Sequence, residues 1–144
     1  MKLVIQRTLK ASVEVKEKIV AEIGPGLLIL VGIAQGDDQA VVKKMAQKIL
    51  KLRIFADDHR DINRSIEDIK GEILVVSQFT LLADTSAGNR PSFIKAAEPK
   101  LAKKLFDLFA LELQKSDLNI STGVFGHYMK VSLVNDGPVT IIYQ

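Results

Sequence analysis

Residues 73–80 read ILVVSQFT, an apolar run that ends in the group Ser77, Gln78, Phe79 and Thr80. A short run of apolar, mostly β-branched residues indicates a strand that is buried on both faces of a sheet. Where such a strand ends, polar side chains can face a pocket, and such connections often carry function. These four residues are therefore the first candidates for a functional site.

Strand-like segments also precede this run. The patterns predict four of them, at Leu3–Ile5, Ser12–Val15, Ile19–Ile23 and Leu27–Ile33. A glycine-proline-glycine sequence at residues 24–26 predicts a turn between the last two. A further short strand is predicted at Arg53–Phe55, whereas the polar residues 57–68 are predicted to form a loop.

Two amphipathic segments predict helices. The first opens at Asp37 and Asp38, because acidic residues favour a helix N-terminus and lysines follow toward its other end. Its predicted buried stripe is Val41, Met45, Ile49 and Leu52. The second helix begins near Pro99, since proline is tolerated at the first helical position, and its predicted apolar face is Leu101, Leu105, Leu108 and Phe109.

The C-terminal segment Ile120–Tyr143 predicts a β-hairpin or meander that is interrupted at Asn135–Pro138. A proline this close to strand residues removes a hydrogen-bond donor, so it is tolerated only at an edge, a bulge or a tight turn. A cis peptide is also least costly before proline, as at the Gly137-Pro138 bond. Gly137 and Pro138 are the second candidate group.

The composition indicates a globular chain of 144 residues, 47% of them apolar, which fits one α/β domain over residues 1–144. The chain has no cysteine, which excludes disulfides and thiolate metal sites. Its longest apolar stretch, Gly26–Ala34, is too short to span a membrane, so a cytoplasmic protein is expected. The net charge of +3 permits an RNA partner without requiring one.

Common catalytic motifs, such as a phosphate-binding glycine loop or a serine-hydrolase elbow, are absent. The acidic residues around His59 are contiguous, which favours a solvated loop over a metal site, and nothing nearby would orient His127 as a base. A nucleophile at Thr80 would need a base that the sequence does not supply. Residue chemistry alone therefore favours hydrogen-bonding roles for Ser77 and Thr80 and a plain turn at residues 137–138.

Two motifs resemble those of a known family. SQFTL at residues 77–81 and NDGPVT at residues 135–140 are similar to the two signature motifs of D-aminoacyl-tRNA deacylases. Further similarity runs nearly end to end, at residues 4–7, 11–13, 23–27, 51–55, 71–76 and 90–93. The chain departs from the family pattern at Asn89, where a second basic residue is usual, in the bulkier segment 126–129 and in the loop 61–64.

The resemblance implies an enzyme that hydrolyses the ester joining a D-amino acid to the 3′ end of tRNA, and that also clears glycine from mischarged tRNA. It implies a homodimer with active sites at the interface, built on a β-barrel-like or two-sheet core with two main helices. The cis Gly137-Pro138 peptide of one subunit would enter the pocket of the other, where its backbone would exclude L-amino acids. The resemblance implies no metal and no cofactor.

Catalytic roles follow from the same resemblance. Ser77 and Gln78 would shape the wall of the pocket, and backbone N–H groups around Phe79 and Thr80 would hold the ester carbonyl oxygen. The 2′-hydroxyl of the terminal adenosine would assist the reaction in place of a protein base, while the protein supplies position and hydrogen bonds.

Substrate-binding roles follow as well. Phe125 and Met129 match family positions that line a pocket for the terminal adenine. Arg7 matches a residue that braces the loop carrying Gly137 and Pro138.

Two alternatives remain at this point. One is an editing domain related to those of threonyl-tRNA synthetases, which remove L-serine; the intact Gly137-Pro138 motif argues against it. The other is a non-catalytic tRNA-binding dimer. Deacylation of D-tyrosyl-, L-seryl- and glycyl-tRNA distinguishes the three.

Overall fold

A six-stranded sheet forms the centre of the structure, a computed structural model that describes residues 1–144. Its strands are β1 (Lys2–Val15), β2 (Lys18–Ile23), β3 (Gly26–Gly32), β4 (Glu72–Ser77), β5 (Ile120–Thr122) and β6 (Lys130–Tyr143). The helices are α1 (Gln39–Leu50), α2 (Ile66–Ile69) and α3 (Pro99–Leu113), and a 3₁₀ turn covers Phe79–Leu82. The sheet is nearly closed and barrel-like, so the predicted α/β class and barrel-like core are confirmed.

β1 organises the sheet because it pairs with three other strands. Its residues 2–8 pair with β3 and its residues 11–15 with β2, while β6 runs antiparallel to it from residue 3 to residue 14. The prediction of two separate strands at Leu3–Ile5 and Ser12–Val15 was wrong. The polar residues between them continue the strand, because main-chain pairing to β6 does not require apolar side chains.

β4 is the buried strand that the sequence predicted, and this prediction is confirmed. Residues 73–76 are at most 1% exposed. β4 runs parallel to β3 on one side and to β5 on the other. The strand therefore delivers Ser77 and the residues after it to one end of the sheet.

The helices begin where the sequence predicted. The Asp38 carboxylate accepts a hydrogen bond of 2.9 Å from the Val41 N–H at the start of α1, and Pro99 is the first residue of α3. The buried stripes were predicted only in part: Val41, Leu52, Leu101 and Leu108 are not buried. The residues buried instead include Val42 and Ala46 on α1 and Phe106, Ala110 and Leu113 on α3.

Two predicted segments between the strands differ from the structure. Arg53–Phe55 is not a strand, since only Phe55 makes an isolated bridge, to Arg64. The segment 57–68 does not stay a loop, because its last residues enter α2, where Ser65 and Asp68 form a reciprocal capping box. Hydrogen bonds from the backbone and side chain of Ser65 lower the pKa of the Asp68 carboxyl.

The C-terminal strands do not form the predicted hairpin or meander. β5 pairs with β4, whereas β6 pairs with β1. β6 continues through Asn135–Pro138, and its pairing with β1 shifts register on either side of Thr8. None of the helices is both long and apolar enough to cross a membrane.

Candidate active site

A cavity of about 470 Å³ opens at the carboxyl end of β4. Five of the predicted site residues line it: Ser77, Gln78, Phe79, Phe125 and Met129. The other walls come from the ends of β3, the first turns of α3 and the segment between β5 and β6. The structure thus brings together residues that are about fifty positions apart in the chain.

The deep walls of the cavity are apolar and aromatic. The ring centroids of Phe106, on α3, and Phe125 lie 5.8 Å apart in a tilted arrangement. At the mouth, Phe79 is 58% exposed and packs edge-to-face on Phe93 at 5.0 Å. Such a cavity suits a flat, partly apolar group, because aromatic rings pack favourably edge-to-face or offset.

The polar end of the cavity arises from the sharp turn after β4. The Gln78 N–H donates to the Val31 carbonyl at 2.8 Å, which fixes the chain where the strand ends. In the 3₁₀ turn that follows, the N–H groups of Phe79 and Thr80 have no backbone or side-chain acceptor. Two free donors therefore lie beside the cavity wall.

Thr80 itself does not line the cavity, although the residues before it do. Its hydroxyl accepts a hydrogen bond from the Gln78 side-chain amide, which is not a base. The side chain is exposed and makes no hydrogen bond to a histidine or a carboxylate. Its surroundings therefore lack the group that activates a threonine nucleophile.

Asp84 fixes the loop that carries Phe93. Asp84 and Ser92 exchange backbone hydrogen bonds of 2.9 Å, and the Asp84 carboxylate accepts from the Ser86 N–H at 3.0 Å and the Ser86 hydroxyl at 2.7 Å. Lys95 pairs with the same carboxylate at 2.8 Å. Hydrogen bonding to Lys95, then to Ser86, lowers the pKa of Asp84 well below its usual range.

We expect Asp84→Asn to loosen this loop, because the amide cannot retain the ion pair with Lys95. Hydrogen exchange at Ser86 and Gly88 should accelerate. Since the folded-state pKa of Asp84 is lowered, its stabilising effect is present above the unfolded value of about 4 and is lost as the pH falls below it. Acidification should therefore loosen the loop in the wild type but not further in the variant. Asp58→Asn is the control and should exchange at the wild-type rate. If Asp84→Asn also exchanged at the wild-type rate at Ser86 and Gly88, Asp84 would not fix the loop.

Gly137 and Pro138 lie elsewhere on the same chain. They are exposed residues of β6, they are joined by a cis peptide bond, and neither lines the cavity. Gly137 has φ +117°, a backbone conformation that favours glycine. Within one chain, the second predicted motif is therefore separate from the first.

Arg7 holds the segment that carries Gly137. Its Nε lies 2.9 Å from an Asp136 carboxylate oxygen, and its Nη1 donates to the Ile54 carbonyl at 2.7 Å. On the far side, the Val139 N–H donates to the Asn135 side chain at 3.2 Å. The guanidinium thus joins this segment to the body of the sheet, although Arg7 does not reach the cavity.

The remaining candidates have structural roles or lie on the rim. The Asp57 carboxylate accepts from the N–H groups of His59 and Arg60, both at 2.8 Å, and hydrogen bonds, first of all from Asn63, lower its pKa. No group of three or more His, Asp or Glu side chains could hold a metal ion. His127 lies in a turn at the rim of the cavity.

Sequence reasoning missed the contribution of α3 to the cavity. Pro99, Ala102 and Phe106 line it from the first two turns of that helix. A signal was present, since Ala102 and Phe106 are four residues apart and share a helix face. The predicted apolar face of this helix, Leu101, Leu105, Leu108 and Phe109, did not include Ala102 or Phe106.

Comparisons with known proteins place the chain in a family. A family model described as D-Tyr-tRNA(Tyr) deacylase matches residues 4–144. D-aminoacyl-tRNA deacylase of Lactobacillus acidophilus is 52% identical over 99% of this chain and 98% of that protein. D-aminoacyl-tRNA deacylase of Roseiflexus sp. is 55% identical over 99% of this chain and 92% of that protein.

Solved structures share the fold. One titled c-Myc DNA Unwinding Element Binding Protein has a TM-score of 0.95 at 40% identity, covering 100% of this chain and 98% of that chain. A probable eukaryotic D-amino acid tRNA deacylase has a TM-score of 0.84 at 16% identity, covering 99% and 97%, which shows the fold alone. The similarity to curated relatives over the full chain makes this protein a hydrolase of the aminoacyl-ester type. The chain belongs to the D-Tyr-tRNA(Tyr) deacylase family.

Proposed function

We propose that this protein hydrolyses the ester bond of D-aminoacyl-tRNA, releasing free tRNA and the amino acid, and that it acts on mischarged glycyl-tRNA in the same way. The cavity at the end of β4 is the proposed site. Its apolar end, with Phe125 and Met129, is suited to the terminal adenine, and its polar end at Ser77 and Gln78 is suited to the ester. The substrate belongs to translation, so the proposed location is the cytoplasm.

The proposed chemistry depends on position rather than on a protein base. The free N–H groups of Phe79 and Thr80 would stabilise the negative charge that develops on the ester carbonyl oxygen. The 2′-hydroxyl of the terminal adenosine would assist the attack by water. Well-oriented reactants can lower a barrier by about 7–11 kcal/mol, which makes a reaction without a protein base reasonable.

We propose a homodimer in which Gly137-Pro138 of one subunit enters the cavity of its partner. The support is geometric: this segment is exposed, held by Arg7, and absent from the cavity of its own chain. A rigid backbone placed at the amino-acid position would collide with an L side chain, whereas a D-amino acid or glycine would fit. A two-fold contact would create two such sites.

One observation carries the proposal: the cavity has an aromatic end and a polar end, and the turn beside its polar end holds the N–H groups of Phe79 and Thr80, which have no acceptor. The test measures release of amino acid from D-tyrosyl-, L-seryl- and glycyl-tRNA. Release from the D-tyrosyl and glycyl substrates, with L-seryl-tRNA intact, is the expected result. Release of L-serine instead would assign an editing activity of the threonyl-tRNA synthetase type. Binding of tRNA without release from any substrate would leave a non-catalytic tRNA-binding dimer.

Removing the Thr80 hydroxyl is expected to have a small effect on turnover. Loss of one neutral hydrogen bond corresponds to about 1 kcal/mol, so Thr80→Ala should lower kcat by less than about tenfold. Replacing the terminal 2′-hydroxyl of the tRNA with hydrogen should lower it by about 100-fold or more, as expected for loss of proton-transfer assistance.

Single-turnover rates of Thr80→Ala and of the 2′-deoxy substrate distinguish a threonine nucleophile from assistance by the substrate hydroxyl. A 2′-deoxy substrate that is cleaved at the normal rate would exclude assistance by the substrate. Complete inactivity of Thr80→Ala, together with a trapped covalent intermediate, would make the threonine a nucleophile.

A further inference from the structure

A second cavity adjoins the candidate active site. It has a volume of about 910 Å³ and lies between α3 and the segment that follows β5. Phe106, Phe125 and His127 line both cavities, so the two lie side by side. We refer to the second one, with its α3 lysines Lys103 and Lys104, as the lysine groove.

The charge of the lysine groove is positive. Lys103 pairs with Asp107 at 2.6 Å, and Asp107 is the only acidic residue in the lining. Lys104 forms no ion pair, which leaves one ammonium group uncompensated. A groove of this kind attracts the phosphates of a nucleic acid chain.

The rim between the two cavities is aromatic and held in place. Tyr128 is 87% exposed, the largest exposure of any large apolar or aromatic residue in the chain. The His127 N–H donates to the Val124 carbonyl at 3.2 Å, and its Nδ1 donates to the Phe125 carbonyl, also at 3.2 Å. The turn is therefore ordered, and Nε2 of His127 and the ring of Tyr128 remain free.

We propose that the lysine groove and this rim bind the single-stranded 3′ end of tRNA, immediately before its terminal adenosine. The proposal rests on the function proposed above: the chain that precedes an adenosine in the first cavity can leave over the His127 turn into the adjoining groove. Lys104 would contact a phosphate. The ring of Tyr128 would stack on the penultimate base, and His127 would hydrogen-bond beside it, as in other single-strand sites.

The binding test uses uncharged tRNA, so it does not depend on catalysis. The probe carries 2-aminopurine in place of the base before the terminal adenosine. Tyr128→Ala should weaken binding about fivefold or more and remove the fluorescence quenching that stacking produces, whereas Tyr128→Phe should retain both. Quenching that persists in Tyr128→Ala would overturn the stacking role. Dissociation of a dimer by Tyr128→Ala, with tRNA affinity unchanged, would assign the ring to a protein contact instead.

The lysine is tested by charge reversal. Lys104→Glu should weaken tRNA binding about tenfold and reduce the slope of log affinity against log salt by about one or more, since each phosphate contact contributes about one unit. The matched control is Lys43→Glu, an exposed lysine of α1 that lines neither cavity. Equal losses of tRNA affinity in Lys104→Glu and Lys43→Glu would overturn the proposal that the lysine groove binds tRNA.

A small substrate separates this inference from the proposed function. Lys104→Glu should cleave D-tyrosyl-adenosine at the wild-type rate while losing about tenfold in kcat/KM on D-tyrosyl-tRNA, because only the tRNA reaches the groove. If the wild type cleaves neither substrate, the proposed deacylase function is wrong. The binding measurements on the Tyr128 and Lys104 variants then still test whether tRNA binds in the lysine groove. If Lys104→Glu lowers kcat/KM equally on both substrates, the lysine acts in the first cavity, and the proposal that the groove binds tRNA is wrong.

Discussion

Gly26→Ala is expected to destabilise the protein by about 3 kcal/mol or more, enough to prevent folding in a marginally stable domain. A Cβ at this position would lie 1.9 Å from the Glu72 carbonyl oxygen and 2.7 Å from the Glu72 nitrogen. Both contacts are to backbone at the junction of β3 and β4, which cannot move aside without opening the centre of the sheet. The measurement is the midpoint of urea unfolding.

Gly24→Ala is the matched control for this prediction. Its added Cβ would lie 3.7 Å from the Glu72 side chain, an ordinary contact distance. Gly24→Ala should therefore unfold near the wild-type midpoint. If the two variants were equally stable, the close approach of β3 and β4 would not limit this position.

Gly137→Val is expected to lower activity sharply while leaving the fold intact. Gly137 has φ +117°, which a β-branched residue adopts only with strain, and a Cβ would lie 3.0 Å from Arg7 Nη2. The position is exposed on β6, so local displacement is less costly than unfolding. A displacement of about 1 Å in a positioning group can lower a rate by about 100-fold, which is the expected loss on D-tyrosyl-tRNA.

Gly36→Val controls for backbone strain alone. Gly36 also has positive φ, at +83°, but nothing lies within 4 Å of an added Cβ, and it lines neither cavity. It should keep the wild-type turnover. A fully active Gly137→Val, with circular dichroism unchanged, would remove Gly137 from the substrate-binding machinery.

The sequence predicted features that depend on local chemistry. β4 was predictable because an apolar, β-branched run reports burial on both faces whatever its partners are. The starts of α1 and α3 were predictable because Asp38 and Pro99 act within their own first turn. Ser77 and its neighbours were singled out because they follow a buried strand.

Features that depend on distant parts of the chain were not predicted. Val41 and Val42 are equally apolar neighbours, and the packing of α1 against α3 selects Val42 for the core. β1 is one strand because β6 pairs along nearly its whole length, which its polar middle residues do not reveal. The wall that α3 contributes to the cavity and the packing of Phe93 on Phe79 likewise depend on tertiary packing.

The motifs containing Ser77 and Gly137 identified the family, yet they lie apart on the structure of one chain. A two-fold dimer would bring the cavity of each subunit against the Gly137-Pro138 segment of the other. The proposed exclusion of L-amino acids depends on this shared site.

Subunit exchange tests whether each active site is built from both subunits. One inactive variant, Ser77→Phe, has a blocked cavity, and the other, Gly137→Val, has a damaged inserting segment. In a heterodimer, one site collects both defects and the other collects neither. Random exchange of an equal mixture should therefore restore about a quarter of the wild-type activity on D-tyrosyl-tRNA, since half the dimers are mixed and each has one intact site. No recovery after proven exchange, or full activity of an isolated wild-type monomer, would contradict the account.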